Sequence, residues 1–259
     1  MNTLNHVPTI DRTEGCLCAG LARSPAEIDA SQALRFRVFA TEMGANLHTL
    51  RAERDVDAFD AYCRHLVVQD CVERRVVACT RILEGWQATR AGGFYAAGEF
   101  RMDAINALPG RKLEIGRTCV DPDYRSGPAL ALLWAALADF VRHHRYDYLI
   151  GCASISVRDH GARAAAIMHQ LRNRHMTPEP LRVSPRLPLP ESDFDPTTPV
   201  ELPSLIRTYL ALGARVCGEP CLDPDFRVAD LFLLLDLRQL ELRPARRFLH
   251  SAGGHPVAA

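Results

Sequence analysis

The sequence predicts an α/β protein whose mixed β-sheet is flanked by helices. The first observation is the run 113–155, which joins a strand, a turn, an amphipathic helix and a second strand with almost no connecting residues. Its apolar side chains between residues 130 and 141 recur at helical spacing. The second observation is a set of β-rich runs on both sides of that unit, His65–Asp70 and Arg75–Leu83 before it and Val228–Leu235 after it. Strands and helices thus alternate, as expected for helices packed on a sheet.

The N-terminal part begins with a polar segment, residues 1–13, which we expect to be a flexible tail. The composition of Glu14–Leu21 predicts a first strand. Ser24 and Glu27 then have the spacing of a capping box with proline at the first helical position, so a helix is predicted from there to about Glu42.

An acidic loop, residues 53–60, precedes the two β-rich runs at 65–70 and 75–83. A short polar turn separates these runs, and the pattern predicts a β-hairpin. Residues 85–108 show no clear period.

The turn of the central unit is a predicted anion site. Pro128 suits the first position of the following helix. Residues 124–127, Tyr-Arg-Ser-Gly, therefore place backbone N–H groups and a guanidinium at a helix N-terminus, an arrangement that favours a phosphate or pyrophosphate. The same tripeptide Arg-Ser-Gly is common in ordinary surface turns.

Proline dominates the segment 176–203, which contains eight of the 17 prolines. Such a segment cannot form a regular helix or a central strand. We predict a surface arm that packs over the site, and a disordered insert is the alternative interpretation. Residues 158–175 before it have helical composition.

The last predicted elements are a helix at 205–212 that ends at Gly213 and two strands, 214–217 and 228–235. Residues 14–250 are predicted to form a single domain. Residues 251–259 form a second predicted flexible tail.

Composition excludes several classes of protein. The formal net charge is zero, which argues against a nucleic-acid binder because such proteins usually need a basic face. No apolar run approaches the roughly 20 residues that span a bilayer. The N-terminus lacks the basic start and apolar stretch of a secretion signal. We therefore expect a cytoplasmic protein.

The sequence contains nine cysteines. In the cytoplasm we expect their side chains to be reduced and mostly buried. Cys16 and Cys18, like Cys217 and Cys221, lack the usual spacing of zinc ligands, and no histidine pair completes either set. We expect no bound metal.

The central unit resembles the core of the GNAT acyltransferase superfamily. Glu114–Arg117 with Val120, Arg35–Phe39 and Asp55–Asp60 also resemble motifs of the acyl-homoserine-lactone synthases. The chain is most similar to the ornithine N-acyltransferases of ornithine-lipid biosynthesis, sometimes labelled hemolysin-like. The motifs that carry this likeness are LRFRVFATEMGA (34–45), DVDAFDAYCRHLVV (55–68), the run 113–155 and YLALGARVCGEPCLDPDFRVADLFLLLDL (209–237).

The resemblance implies a GNAT-like fold in which two strands splay to admit an acyl thioester. It also implies transfer of a 3-hydroxyacyl group from acyl carrier protein to the α-amine of L-ornithine, giving lyso-ornithine lipid. No permanently bound cofactor is expected, because the acyl carrier protein brings its own phosphopantetheine. The residues expected to bind this donor are Val120, Tyr124, Arg125, Ser126 and Gly127.

Glu114 is the candidate general base, because a carboxylate beside the turn can take a proton from the acceptor ammonium directly or through water. Arg117 is the second catalytic candidate. On a regular strand these two residues point to opposite faces unless a bulge intervenes. The alternative for both is a structural ion pair, which is common for charged residues on strands.

Acidic residues of the loop are the candidate site for the acceptor, since ornithine carries two amino groups. The carboxylates in question are Asp55, Asp57 and Asp60, and a solvated acidic loop is the alternative interpretation. The arginines that could bind the acceptor's carboxylate or order the aspartates are Arg35, Arg37 and Arg81.

Other catalytic patterns are set aside. His65 and Asp70 have the spacing of a glycerolipid acyltransferase pair, but residues five apart on a strand face opposite sides. A Gly-x-Ser-x-Gly elbow is absent from the sequence.

Two alternative functions stay open at this point. An acyl-homoserine-lactone synthase would need a methionine-adenosyl acceptor pocket. A membrane-active hemolysin-like protein would need an amphipathic or transmembrane segment. For the acyltransferase itself we expect peripheral contact with the inner membrane, where Arg243, Arg246 and Arg247 could meet anionic head groups.

Overall fold

A computed structural model describes residues 17–197 and 199–239 of the chain. Both predicted tails lie outside the described residues, as do residues 14–16 of the predicted first strand and the three C-terminal arginines at 243, 246 and 247. Within the described ranges the predicted α/β architecture with a mixed sheet is confirmed.

The elements follow the predicted order. The strands are β1 (Leu17–Leu21), β2 (Arg64–Asp70), β3 (Arg75–Glu84), β4 (Phe100–Arg101), β5 (Lys112–Val120), β6 (Tyr148–Ser156), β7 (Ser184–Pro185), β8 (Arg215–Val216), β9 (Cys221–Asp223) and β10 (Val228–Asp236). The helices are α1 (Pro25–Phe36), α2 (Gly85–Ala91), α3 (Asp103–Ala107), α4 (Ala129–His144), α5 (Ala162–Arg172) and α6 (Ser204–Ala211).

One eight-stranded sheet forms the centre of the molecule, in the order β1-β2-β3-β5-β6-β10-β8, with β9 also paired to β10. The pair β5–β6 is parallel, and the other pairs of this sheet are antiparallel. A right-handed crossover through a helix is the usual way to join parallel neighbours, and here α4 makes that connection. The predicted hairpin is β2–β3.

The splay in this sheet lies between β5 and β6. Their pairing covers only Lys112–Glu114 with Tyr148–Ile150, although the strands continue to Val120 and Ser156. Beyond Glu114 the facing edges of β5 and β6 therefore do not pair with each other. On its other edge β6 stays paired with β10 along its whole length.

Helices cover both faces of the sheet because side chains alternate along the strands. Leu66 and Val68 of β2 lie in the core cluster under α4, whereas Val67 lies in the cluster under α1. All three side chains are at most 3% exposed.

Helix α1 begins as the sequence predicts. Ser24 Oγ accepts from the Glu27 N–H at 3.2 Å, and the Glu27 carboxylate accepts from the Ser24 N–H at 3.1 Å. The predicted helix continues to Glu42, but residues 37–42 form a π-helical turn. Such widened turns are common at functional sites, and this one carries Val38 and Phe39 into the wall of the main cavity.

The proline-rich segment 176–203 runs along the edge of the molecule near β4 and β9. Its short strand β7 pairs with β4, and the Arg186 N–H donates to the Glu99 carbonyl at 2.7 Å. The Leu189 N–H donates to the Pro220 carbonyl at 3.2 Å. Because Glu99 also lines the main cavity, the proline-rich segment contacts the wall of that cavity.

The eight cysteines among the described residues are free thiols. No helix in residues 17–197 and 199–239 combines the length and apolarity required to cross a bilayer.

Candidate active site

A cavity of about 420 Å³ occupies the splay between β5 and β6. Residues 114–120 of β5 form one side of it, and Cys152 and Ser154 of β6 form another. The wall also includes residues of β3, the segment 95–99, the π-helical turn, β9 and the loop after it, β10, α4 and α6. The cavity thus lies where the two parallel strands have ceased to pair.

Glu114 lies on this cavity and is 4% exposed. Its two carboxylate oxygens accept from the backbone N–H groups of Tyr95 and Ala96, at 2.6 and 2.8 Å. Burial raises the pKa of Glu114 to about 7, although these two hydrogen bonds act in the opposite direction. A carboxyl group that is fixed in place and titrates near neutrality has the properties of a general base.

Arg117 reaches the same cavity because β5 is irregular there. Arg117 has φ of 52°, in the left-handed region, and the register between β3 and β5 shifts between Cys79 and Arg81. A bulge of this kind changes which face a side chain points to. The expectation that Glu114 and Arg117 meet only across a bulge is thereby fulfilled, since both residues line the cavity.

The Arg117 guanidinium is fixed on several sides. Its Nε donates to Asp55 at 3.1 Å, and its Nη2 donates to the Tyr95 hydroxyl at 3.2 Å. The guanidinium also lies 4.5 Å from the centre of the Phe226 ring and 4.8 Å from that of Tyr95. Its Nη1 has no hydrogen-bond partner in the part of the chain that the structure describes.

The three aspartates of the acidic loop are already paired with arginines. Arg35 donates to Asp55 at 2.9 Å and to both oxygens of Asp60 at 2.8 and 3.0 Å. Arg81 donates to Asp57 at 2.6 Å and to Asp60 at 3.3 Å. We call Arg35, Arg81, Arg117, Asp55, Asp57 and Asp60 the ion network.

This geometry differs from the expected acceptor site. The three aspartates do not line the cavity, whereas Arg81 and Arg117 do. Arg35 is 1% exposed behind the wall. Arg37 points elsewhere, since its guanidinium is half exposed and lies 3.3 Å from Asp121. Carboxylates that bind protein arginines are poorly placed to bind an incoming ammonium.

A second group of carboxylates does line the cavity. Glu99, Asp223 and Asp230 each have a carboxylate oxygen within 4.8 Å of the others; we call them the acidic cluster. Asp230 is 4% exposed and accepts from Ser154 Oγ at 2.6 Å. One oxygen of Glu99, Oε2, is buried without a hydrogen-bond partner among the described residues. Burial and mutual repulsion raise the pKa values of Glu99 and Asp230.

The remaining cavity wall is apolar. It includes Val38 and Phe39 of the π-helical turn, Met43 directly after that turn, and Leu130, Leu205, Tyr209 and Val228. This part of the cavity suits a hydrocarbon chain.

The predicted anion turn precedes α4, which begins at Ala129, and Pro128 is its N-cap residue. Of the predicted donor residues, Val120 and Arg125 line the cavity. Arg125 is held by Glu42, with both Nη atoms 2.6 Å from the two carboxylate oxygens. Ser126 and Gly127 are exposed in the turn. Tyr124 faces away from the cavity and donates to Asp70 at 2.7 Å.

His65 lies behind the ion network. Its Nε2 is 3.6 Å from Asp60 Oδ1, and burial lowers its pKa to about 4. His65 does not line the cavity, in agreement with its rejection as a catalytic residue.

Comparison with known proteins identifies the family. Residues 34–135 match the model of the acetyltransferase (GNAT) domain. An L-ornithine N(alpha)-acyltransferase of Rhizobium meliloti (strain 1021) is 35% identical over 250 residues, which cover 90% of this chain and 84% of that protein. One of Rhodobacter capsulatus is 36% identical over 236 residues, covering 85% and 90%. The chain belongs to the L-ornithine N(alpha)-acyltransferase family.

Comparison with solved structures confirms that the chain has the GNAT-like fold that the sequence predicts. An N-acyl amino acid synthase from uncultured soil microbes matches with a TM-score of 0.55 and 12% identity, covering 91% of this chain and 98% of that one. A CoA-dependent acyl-homoserine lactone synthase matches with a TM-score of 0.53 and 16% identity, covering 90% and 84%.

Sequence reasoning missed the acidic cluster. Glu99 lies in the irregular region between α2 and β5, where no period guided the interpretation. Asp223 and Asp230 lie in the family motif at 209–237, but the sequence does not mark either of them as a binding residue. The available signal was Asp230 itself, a lone carboxylate within the apolar strand Val228–Leu235, since a buried unpaired charge is rare without a function.

Proposed function

We propose that this chain moves a 3-hydroxyacyl group from acyl carrier protein to the α-amine of L-ornithine, giving lyso-ornithine lipid. The observation that carries the proposal is the distribution of charge in the cavity. One cavity is lined by the carboxyl group of Glu114, by the guanidinium groups of Arg81 and Arg117, and by the acidic cluster. An acceptor with one carboxylate and two amines matches these three groups, and family membership favours ornithine.

The acceptor's carboxylate would bind the two cavity arginines. Arg81 uses only Nη1 for its bonds to Asp57 and Asp60, so its Nε and Nη2 have no partner among residues 17–197 and 199–239. Together with Nη1 of Arg117, these groups offer N–H donors for a carboxylate. The aspartates of the ion network would then position the arginines rather than bind the substrate.

The side-chain ammonium of ornithine would bind the acidic cluster. The three carboxylate oxygens lie within 4.8 Å of one another, so one ammonium placed between them can be within hydrogen-bonding reach of all three. An ammonium has three donors, one for each carboxylate. Its charge would also relieve the repulsion among these groups.

Glu114 would then act on the α-amine. The amine must lose a proton to attack the thioester carbonyl carbon, and Glu114 accepts that proton, directly or through water. This attack forms the C–N bond and gives a tetrahedral intermediate, and the C–S bond breaks when the intermediate collapses. The thiolate of the phosphopantetheine leaves and takes up a proton, so the products are the amide and the free thiol.

The donor would enter at the turn before α4. Arg125 stands on the cavity wall beside that helix N-terminus, where phosphate is favoured. In the structure the Arg125 guanidinium pairs with Glu42, so a phosphate would compete with this carboxylate. Phosphopantetheine arrives as part of the donor substrate, and no step needs a separately bound cofactor.

Mass spectrometry of the products tests the proposal. The purified chain is supplied with 3-hydroxyacyl-acyl carrier protein, the matching acyl-CoA, and a panel of ornithine, lysine, glutamine and S-adenosylmethionine. We expect N-acylornithine from the carrier-protein donor. An acyl-homoserine lactone would show the alternative synthase activity, and absence of any acylated amino acid would refute the proposal.

We further propose that the reaction takes place in the cytoplasm, with reversible contact between the enzyme and the inner membrane. The proposed product is amphiphilic, and it must leave the enzyme for a lipid phase. Sedimentation with vesicles of 30% anionic lipid and with neutral vesicles tests this: equal binding to both would contradict an electrostatic contact.

A further inference from the structure

We propose that Tyr209 recognises the 3-hydroxyl group of the acyl donor and so selects 3-hydroxyacyl chains over unsubstituted ones. The inference deepens the proposed function and rests on its acyl-transfer reaction. It concerns the donor, however, and is independent of which amine accepts the chain.

The first observation is a tyrosine hydroxyl on the cavity wall that has no protein partner among the described residues. Tyr209 of α6 is 8% exposed and lines the main cavity. Its ring is held edge-on against Trp134, with centroids 5.5 Å apart. Its hydroxyl makes no hydrogen bond to any residue in the described ranges. A tyrosine hydroxyl that lines a cavity without a protein partner is free to hydrogen-bond a group of a bound ligand.

The second observation is the position of Tyr209 between two cavities. It also lines a smaller cavity of about 10 Å³. The other residues of that cavity are mostly apolar and come from β5, β6, the segment before β8, and β10: Ile115, Leu149, Gly151, Cys152, Ala214, Leu233 and Leu235. Tyr209 therefore stands where the polar site gives way to the hydrocarbon-like interior of the splay.

An acyl chain that extends from the reacting carbonyl along the main cavity would run past Tyr209, which lines that cavity. The third carbon lies two bonds from the carbonyl carbon, so a hydroxyl group on it stays close to the polar site. In an apolar passage that hydroxyl would lose its water without compensation. The phenolic O–H of Tyr209 can both donate to it and accept from it.

Neighbouring polar groups fit this role less well. Trp134 Nε1 also lacks a partner, but it is enclosed and can only donate. Ser204 lines the cavity but is exposed, so water already satisfies it. Among these three side chains, Tyr209 combines a mostly buried ring with a hydroxyl that can both donate and accept.

The test is Tyr209→Phe, which removes the hydroxyl and retains the ring that packs on Trp134. We measure kcat/KM for a 3-hydroxyacyl donor and for the unsubstituted donor of equal length, with ornithine saturating. The ratio of kcat/KM for the hydroxylated donor to kcat/KM for the unsubstituted donor should fall by about 3- to 10-fold, the range for one lost hydrogen bond.

Tyr146→Phe is the matched control. Tyr146 belongs to the same core cluster, and its hydroxyl donates to Glu84 away from the main cavity. This variant should keep the donor preference of the wild type, whatever its melting temperature. A purely structural role for Tyr209 predicts a lower melting temperature with the preference intact.

Either of two results would overturn the inference: no donor preference in the wild type, or equal preference in the wild type and Tyr209→Phe. If another amine proves to be the acceptor, the proposed function fails while the donor ratio still decides the role of Tyr209. If no amine is acylated, binding of the two acyl-pantetheines to both proteins provides the same ratio.

Discussion

Neutralising the acidic cluster should abolish the preference for an acceptor with a second amine. The perturbation is Asp230→Asn or, separately, Glu99→Gln. Because the three carboxylate oxygens lie within 4.8 Å of one another, an ammonium between them can form charge-assisted hydrogen bonds to each. One such bond contributes on the order of 1.5 to 3 kcal/mol, or roughly 10- to 100-fold in kcat/KM for ornithine.

The assay compares ornithine with norvaline, which has the same carbon chain but no terminal amine. We expect the ornithine-to-norvaline ratio of kcat/KM to fall in both variants, with donor parameters unchanged. An unaltered ratio in both would refute the assignment. A metal chelator distinguishes a second possibility for the same carboxylates: loss of activity in the chelator, restored by a divalent cation, would show that the cluster holds a metal.

The remaining predictions concern the base, the donor turn, the ion network and pH. Glu114→Gln should lower kcat by about 100- to 10,000-fold with little change in donor KM; near-normal turnover across the pH range would exclude it as the base. Because burial raises the pKa of Glu114 to about 7, wild-type kcat/KM should rise as pH increases through that value, and a profile without this limb would contradict the assignment. Arg125→Ala should raise KM for the carrier-protein donor, most strongly at low salt, whereas Glu42→Gln should lower it; an unchanged KM in both would remove the turn from the donor site. Asp60→Asn should lower the free energy of unfolding by about 3 to 5 kcal/mol, since it leaves Arg35 buried and underpaired, while the ornithine-to-norvaline ratio is preserved; calorimetry and kinetics check the two halves.

The ornithine affinity itself should depend on pH in a stated direction. Burial and mutual repulsion raise the pKa values of Glu99 and Asp230, so part of the cluster is protonated at low pH and must ionise to pair with an ammonium. KM for ornithine should therefore fall as pH rises from about 6 to 9, and KM for norvaline should not follow it. Parallel curves for the two acceptors would place the titrating group elsewhere.

Local sequence signals account for much of the fold. The capping box at Ser24 and Glu27, the β2–β3 hairpin and the unit from β5 to β6 depend on residues close together in the chain, and each is predicted from pattern alone. The general location of the site follows from the same unit. Glu114 and Arg125 are examples of predicted residues that do lie on the cavity.

Long-range contacts account for what the sequence did not reveal. Arg35 and Asp60 are 25 residues apart, and Arg117 and Asp55 are 62 apart. No periodicity within a helix or strand reports such pairings. The positive φ of Arg117 is also invisible in the sequence, because a bulge in one strand depends on its register with the neighbouring strand.

The ion network and the acidic cluster differ in whether their buried charges are compensated, and this difference indicates their roles. In the ion network three arginines face three aspartates, so the buried charges compensate each other and hold Arg81 and Arg117 at the cavity wall. In the acidic cluster the carboxylates face one another, and burial together with their repulsion raises the pKa values of Glu99 and Asp230. A cation from outside gains most where negative charge is buried and uncompensated. The acidic cluster, and not the aspartates of the loop, is therefore the place where an acceptor's ammonium would bind.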